Sequence, residues 1–182
     1  KNKVRYGFKD SNVDFYGCVR KEDEEIVFTI NNQKIQNPFM NMTFAKNMLA
    51  AYSVASTYGI KHEEIIKVLN KFKPVNGRGN IIYQNNIIIV NDSYNANLNS
   101  FKAGIEDFMN LDISEGRKFL IIGDMNELGD LTKEYHQILA KFIDEKKPDF
   151  VFGFGDHIQI TINGINSNKI HTGFYSNKEL LL

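Results

Sequence analysis

The sequence predicts an α/β protein in two parts: a small, mostly antiparallel sheet with two helices in front, and a mostly parallel sheet interleaved with helices behind. Three observations predict it. Short β-type runs fill residues 1 to about 39 and then give way to a 3.6-residue apolar period that lasts to Pro74. A connector rich in proline and glycine, Lys73-Pro74-Val75-Asn76-Gly77-Arg78-Gly79-Asn80, interrupts the chain. Beyond it, apolar runs alternate with helical stretches, the pattern of parallel strands joined by right-handed crossovers and covered by helices. The boundary is therefore set at the connector, with residues 1–74 as the front domain and 75–182 as the back domain.

In the front, Val4 to Phe8, Val13 to Tyr16, Ile26 to Ile30 and Lys34 to Phe39 read as strands. Asn31-Asn32-Gln33 reads as a hairpin turn, because asparagine tolerates positive φ better than most residues. Met48, Tyr52 and Val54-Ala55 then share one side of a helix that Gly59 can end in the left-handed conformation. A second helix follows. Glu63 and Glu64 favour its first turn through the helix dipole, Ile65, Leu69 and Phe72 make its apolar stripe, and Pro74 prevents its continuation.

In the back, Ile81 to Tyr83 and Ile87 to Val90 flank the turn Gln84-Asn85-Asn86, and the unbroken Ile87-Ile88-Ile89-Val90 suits a strand buried on both faces. A helix carrying Phe101, Ile105 and Phe108 comes next, then Phe119 to Ile122 as another buried strand. Tyr135, Ile138, Leu139, Phe142 and Ile143 mark a further helix. Phe150 to Phe152 and Ile170 to Tyr175 supply two more strands, and Ser176 with Lys178-Glu179 reads as the first turn of a helix. The start at Lys1 and the finish at Leu180-Leu181-Leu182 both read as cuts.

The chain is 42% hydrophobic and 24% charged, which is enough apolar material for one core or two small ones and excludes general disorder. Lys+Arg and Asp+Glu both total 22, so no electrostatic footprint argues for nucleic acid or an anionic membrane. No stretch approaches the ~20 apolar residues of a membrane span, and no signal-peptide order is present. The single Cys18 excludes an internal disulfide and reads as a buried small hydrophobe in a reducing cytosol.

In an open α/β sheet, ligands gather beyond the carboxyl ends of the strands, so the residues that follow each apolar run carry the chemistry. Asn91-Asp92-Ser93-Tyr94-Asn95-Ala96-Asn97 is a dense polar segment at such an exit, fit for a ribose hydroxyl or phosphate oxygen and equally for an N-cap of the helix near Ser100. Gly123-Asp124-Met125-Asn126-Glu127-Leu128-Gly129 is a second. There Asp124 and Glu127 suit an ammonium group or a partner arginine, or a solvated turn before a helix. Arg78, between two glycines, can swing onto a phosphate with its planar fork, or be an exposed linker charge. His136 lacks any cysteine or carboxylate at ligand spacing and reads as a surface or capping residue. Gly153-Phe154-Gly155 resembles part of a dinucleotide fingerprint without the third glycine or the helix.

Four of these segments, in this order, resemble the Mur ligase family and, within it, the MurF branch. Asn47-Met48-Leu49-Ala50-Ala51 is similar to the family's helix motif Asn-Ala-Leu-Ala-Ala, Gly77-Arg78 to its hinge, Asp92 to Asn97 to the strand exit after the hinge, and Gly123 to Gly129 to the MurF loop. The likeness extends from about Val4 to Tyr175. It implies that residues 1–74 are a truncated piece of a central ATP-binding domain and that 75–182 form a Rossmann-like ligase domain lacking its last part. It implies an ATP-dependent carboxylate-amine ligase of peptidoglycan synthesis. ATP would phosphorylate the tripeptide carboxylate of UDP-N-acetylmuramoyl-tripeptide, and the amine of D-alanyl-D-alanine would attack the acyl phosphate, with Mg²⁺ bridging the phosphates. Asn47 would contact the adenine, Arg78 the terminal phosphate in a catalytic role, and Asp92 the ribose. Tyr94, Asn95 and Asn97 would line the nucleotide and acceptor cleft, and Asp124, Met125 and Glu127 would lie near the incoming dipeptide. A cytoplasmic monomer is expected.

The departures from the family pattern are informative. Met42-Thr43 stand where members usually carry His-Asn, no Gly-x-x-x-x-Gly-Lys-[Ser/Thr] segment occurs, and a Lys-Gly-Ser segment expected near the C-terminus is absent. The metal ligands are expected upstream of Lys1, and the chain alone is expected not to turn over. One alternative is a folylpolyglutamate synthase of the same superfamily, whose strand exit typically reads Asp-Gly-Ala-His-Asn, unlike Asp92-Ser93-Tyr94-Asn95. Another is a non-catalytic Rossmann-like binding module.

Overall fold

The computed structural model describes residues 3–8, 12–22, 25–36, 42–113 and 115–176. The extension of the fourth expected strand to Phe39 and the helical turn after Ser176 lie outside the described residues. The chain divides into two compact units, one of Lys1–Val75 with Asn80–Ile89, the other of Asn76–Gly79 with Val90–Leu182. No helix among the described residues is long and apolar enough to cross a membrane.

The first unit carries a four-stranded sheet, β1 (Tyr6–Gly7), β2 (Phe15–Glu22), β3 (Glu25–Ile30) and β4 (Gln33–Ile35), in that spatial order. β1 runs parallel to β2 and the remaining pairs are antiparallel. Asn31 and Asn32 join β3 to β4 with φ of 48° and 69°, the two positive angles of a type I′ hairpin. Helices α1 (Met42–Thr57) and α2 (His62–Lys71) are separated by Gly59 at φ 82°. Phe28, Ile30, Met48, Leu49, Tyr52 and Leu69 form the core of this unit. β2 continues past the expected Tyr16 because Gly17 serves close packing and does not end the strand. A Cβ there would lie 2.9 Å from both Leu49 and Phe8. Cys18 is half-buried, with its sulfur accepting from Arg20 Nε at 3.3 Å, which corrects the expectation of a buried residue.

β5 (Asn80–Gln84) and β6 (Ile87–Asn91) form a separate two-stranded sheet, turned by Asn85 and Asn86 at φ 49° and 62°. The expectation that Ile87 to Val90 is buried on both faces does not hold. Ile87, Ile88 and Ile89 are 60%, 39% and 42% exposed, because β6 pairs in a hairpin and not inside the parallel sheet.

The second unit has a parallel sheet of β7 (Phe119–Gly123), β8 (Phe150–Phe154) and β9 (His171–Tyr175), ordered β7-β8-β9. α3 (Leu98–Met109), α4 (Thr132–Lys146) and α5 (Ile158–Gly164) accompany it. Its core gathers Ile105, Leu120, Ile122, Leu139, Val151 and Ile158. β7 alternates between buried and exposed positions, with Ile121 at 70% exposure, so only one of its faces is covered. α5 was not expected. Its sequence is rich in isoleucine, but Gly153 lets Ile162 and Ile158 approach β8, where a Cβ would sit 2.6 and 3.2 Å from them. The segment Gly153-Phe154-Gly155 is therefore followed by a helix after all. His136, expected as a surface or capping residue, is fully buried under α5.

Candidate functional site

Two strand exits of the second unit hold the polar residues that the sequence singles out. At the first, the hinge residues Asn76–Gly79 are laced to the end of β6. Tyr94 N–H donates to Gly77 O at 3.0 Å, and Asn91 Nδ2 donates to Asn76 Oδ1 at 3.3 Å. Gly77 is at φ 79°, and a Cβ on it would meet Tyr94 N at 3.2 Å, so both its conformation and its contact require glycine. Between Gly77 and Gly79, the Arg78 guanidinium lies over the Tyr94 ring, 4.0 Å from its centroid. Arg78 is thus packed against a residue of the second unit.

Asp92 belongs to the same cluster. Desolvation by the atoms around it pushes its carboxyl above the ordinary value, while the Arg78 guanidinium and a hydrogen bond from the Gly79 backbone pull it down and Asp107 adds to the rise. The side chain reaches toward α3, since a Cβ on Gly104 would be 3.1 Å from Asp92 Oδ2. The following residues serve the backbone. Asn95 Oδ1 accepts from Ala96 N–H at 2.8 Å, and Asn97 builds a capping box with Ser100, at 2.9 and 3.0 Å, that starts α3. The capping role weighed for this segment is thus realised at Asn97.

The second exit follows β7. Asp124 accepts hydrogen bonds from the backbone N–H groups of Asp156, His157 and Ile158 at 2.8, 3.0 and 2.7 Å. This carboxylate ties the end of β7 to the start of α5, and Gly155 is its necessary neighbour, because a Cβ there would fall 2.5 Å from the Asp124 carboxyl carbon. Met125 is 1% exposed, so its side chain belongs to the core. Glu127 is exposed and held at φ 61°, a conformation unfavourable for a residue with a Cβ.

Beside this loop lies an open cavity of about 590 Å³, bordered by Glu127, Asp130, Thr132, Lys133 and His157 among others. Charges of both signs meet there. Lys133 is not singled out by the sequence and His157 reads there as no better placed for chemistry than His136; the one hint is Gly155 at the exit of β8, which permits the Asp124 bridge that brings His157 to the loop after β7.

Asn47 lies in the first unit, exposed on α1, flanked in sequence by the exposed Lys46 and the buried Met48. Among the described residues no group of three or more His, Cys, Asp or Glu side chains is arranged to hold a metal ion.

Comparison with known proteins adds the family. Residues 77–179 match the family described as Mur ligase, glutamate ligase domain. A UDP-N-acetylmuramoyl-tripeptide--D-alanyl-D-alanine ligase of Bacillus subtilis (strain 168) is 34% identical over 142 residues, covering 75% of this chain and 30% of that protein. The fold is similar to that of a crystal structure of MurF from Acinetobacter baumannii, with a TM-score of 0.81 at 24% identity, covering 97% of this chain and 38% of that one. It is also similar to MurF ligase from Thermotoga maritima in complex with ADP, with a TM-score of 0.65 at 23% identity, covering 91% and 38% of the two chains. The chain spans about a third of the length of the curated relatives it matches.

Proposed function

The chain belongs to the Mur ligase family, and from that premise we propose that it is the carboxyl-terminal portion of a MurF-type ligase. That enzyme joins D-alanyl-D-alanine to UDP-N-acetylmuramoyl-tripeptide at the expense of ATP in cytoplasmic peptidoglycan synthesis. In this reading residues 1–74 complete a central ATP-binding domain and residues 75–182 form the Rossmann-like ligase domain. The observation that carries it is the cluster of Arg78, Asp92 and Tyr94. A guanidinium from within the glycine-rich hinge and a carboxylate from the exit of β6 interact at the end of that strand.

The chemistry follows from these groups. Arg78 presents a delocalised charge with paired N–H donors, which suits the terminal phosphate and the charge that grows there as the phosphoryl group leaves. Asp92 can accept from ribose hydroxyls, and the T. maritima relative was solved with ADP. Asn47 is assigned to the adenine, and Asn95 and Asn97 to the backbone that shapes the cleft. Mg²⁺, which the family's chemistry calls for, has no cluster of three or more His, Cys, Asp or Glu to hold it among the described residues.

The cavity beside Glu127 is assigned to the acceptor dipeptide. A zwitterion needs an acidic and a basic partner, and Glu127 with Asp130 faces the ammonium end while Lys133 and His157 serve the carboxylate. Asp124 and Met125 shape the wall of this site from behind. A ligase assay on the complete enzyme tests the nucleotide half. Arg78→Ala and Asp92→Ala should each cut turnover by roughly a hundredfold, corresponding to charge-assisted contacts of about 2–4 kcal/mol. Unchanged rates in both variants would overturn the assignment.

A further inference from the structure

We propose that Tyr94 is a positioning residue for Arg78: its ring holds the guanidinium in place so that the donors in the guanidinium plane meet the terminal phosphate. The inference rests on the phosphate role given to Arg78 above.

The geometry of the hinge carries it. An arginine on a surface loop has several rotatable bonds, and ordering such a chain when a ligand arrives weakens binding. Here two devices order it beforehand. The backbone on either side of Arg78 is fixed, by Gly77 O accepting from Tyr94 N–H at 3.0 Å and by the Gly79 backbone bonding to Asp92, with both glycines at positive φ. The side chain then lies over the Tyr94 ring at 4.0 Å from the centroid. The ring meets the guanidinium at its central carbon through π density, whereas phosphate oxygens accept from the N–H donors at the edges of the fork, so the two kinds of contact use different parts of the group. Tyr94 is 64% exposed. A large aromatic side chain left so open to water contributes little to the core, which sets its role apart from packing.

The contact uses the ring and not the hydroxyl. Three side chains at this position therefore separate the possibilities in the complete ligase, with ATP KM and kcat measured for each. Tyr94→Leu should raise the ATP KM by about two- to fivefold, the size of an exposed cation–π contact, and Tyr94→Phe should restore most of that loss. In an Arg78→Ala background, Tyr94→Leu should add no further effect, because the residue it positions is gone. Thermal unfolding of each variant checks that the fold is intact.

Leucine and phenylalanine behaving alike would overturn the inference, and so would a leucine effect of full size in the Arg78→Ala background. If Arg78→Ala lowers activity while Tyr94→Leu is silent, the positioning role fails and the phosphate role stands. If Arg78→Ala itself leaves the ATP dependence unchanged, both fail.

Discussion

His136 and Thr161 hold each other by two hydrogen bonds inside the second unit. Thr161 Oγ1 donates to the His136 backbone carbonyl at 3.1 Å and lies 2.9 Å from His136 Nδ1. A hydroxyl has one proton. Since that proton goes to the carbonyl, Oγ1 accepts from Nδ1–H, and the neutral ring keeps its bare nitrogen at Nε2. Nε2 is buried without a hydrogen-bond partner among the described residues.

Acidification should therefore weaken the second unit. Burial pushes the His136 pKa below its ordinary value most strongly; Asp124 opposes the shift and His157, with its ring centroid 6.4 Å away, adds to it. The folded state binds the proton less readily than the unfolded chain, so the contribution to stability is fully present above the unfolded pKa of about 6.5. It is lost as pH falls from there through the depressed folded value. Denaturant unfolding between pH 7 and 5 should show stability falling by at most about 1.4 kcal/mol per pH unit from this group. His136→Gln should flatten that slope. An unchanged slope in the variant would assign the pH dependence elsewhere.

Asp124 should matter to stability as well as to the site. Asp124→Ala leaves the N–H groups of Asp156, His157 and Ile158 without their acceptor and should destabilise the unit by about 1–3 kcal/mol. Gly155→Ala should do comparable damage from the other side, because its Cβ would collide with the same carboxylate and its φ is 129°. Hydrogen exchange provides the specific readout: faster exchange at residues 156–158 in both variants is expected, and protection equal to the parent would refute the bridge.

Two glycines at positive φ should respond differently to alanine. At Gly59 nothing lies within 4 Å of the new Cβ, so Gly59→Ala carries only the conformational penalty, about 1 kcal/mol. At Gly77 the same penalty is joined by a 3.2 Å approach to Tyr94 N. Gly77→Ala should therefore destabilise more than Gly59→Ala and should also raise the ATP KM of the complete ligase, which Gly59→Ala should leave alone. Equal effects at the two sites would contradict the hinge geometry.

Glu127→Gln removes a charge while keeping the shape of the loop. The acceptor dipeptide KM should rise about tenfold, in line with loss of a charge-assisted contact of roughly 1.5 kcal/mol, with the ATP KM unmoved. Steady-state kinetics with each substrate varied separately makes the distinction. A change in the ATP KM alone would remove Glu127 from the acceptor site.

Much of the site was legible because polar residues at strand exits stand out against the apolar runs before them. Asp92 after Ile87 to Val90, and Asp124 after Phe119 to Ile122, were found this way. So was Arg78, since an arginine between two glycines marks a place where the backbone takes unusual angles. The contact of Arg78 with Tyr94 was not legible, because it depends on the hinge folding back on a segment sixteen positions along the chain. Lys133 and His157 carried no such signal for a similar reason: they come to one cavity from the starts of two different helices.

By itself the sequence determined the local grammar of this protein. Asparagine pairs set the β3–β4 and β5–β6 turns, glycines allowed the hinge, and apolar periods set most of the helices and strands, since each depends on the conformational preferences of a few neighbouring residues. Only the tertiary structure decided which faces are covered. His136 is buried because α5 lies over α4, and α5 exists because Gly153 admits its isoleucines and Asp124 caps its first amides. Ile87 to Ile89 are exposed because, among the described residues, their strand pairs only with β5. Burial is a property of what arrives from elsewhere in the chain, and a run of isoleucines carries no record of whether anything arrives.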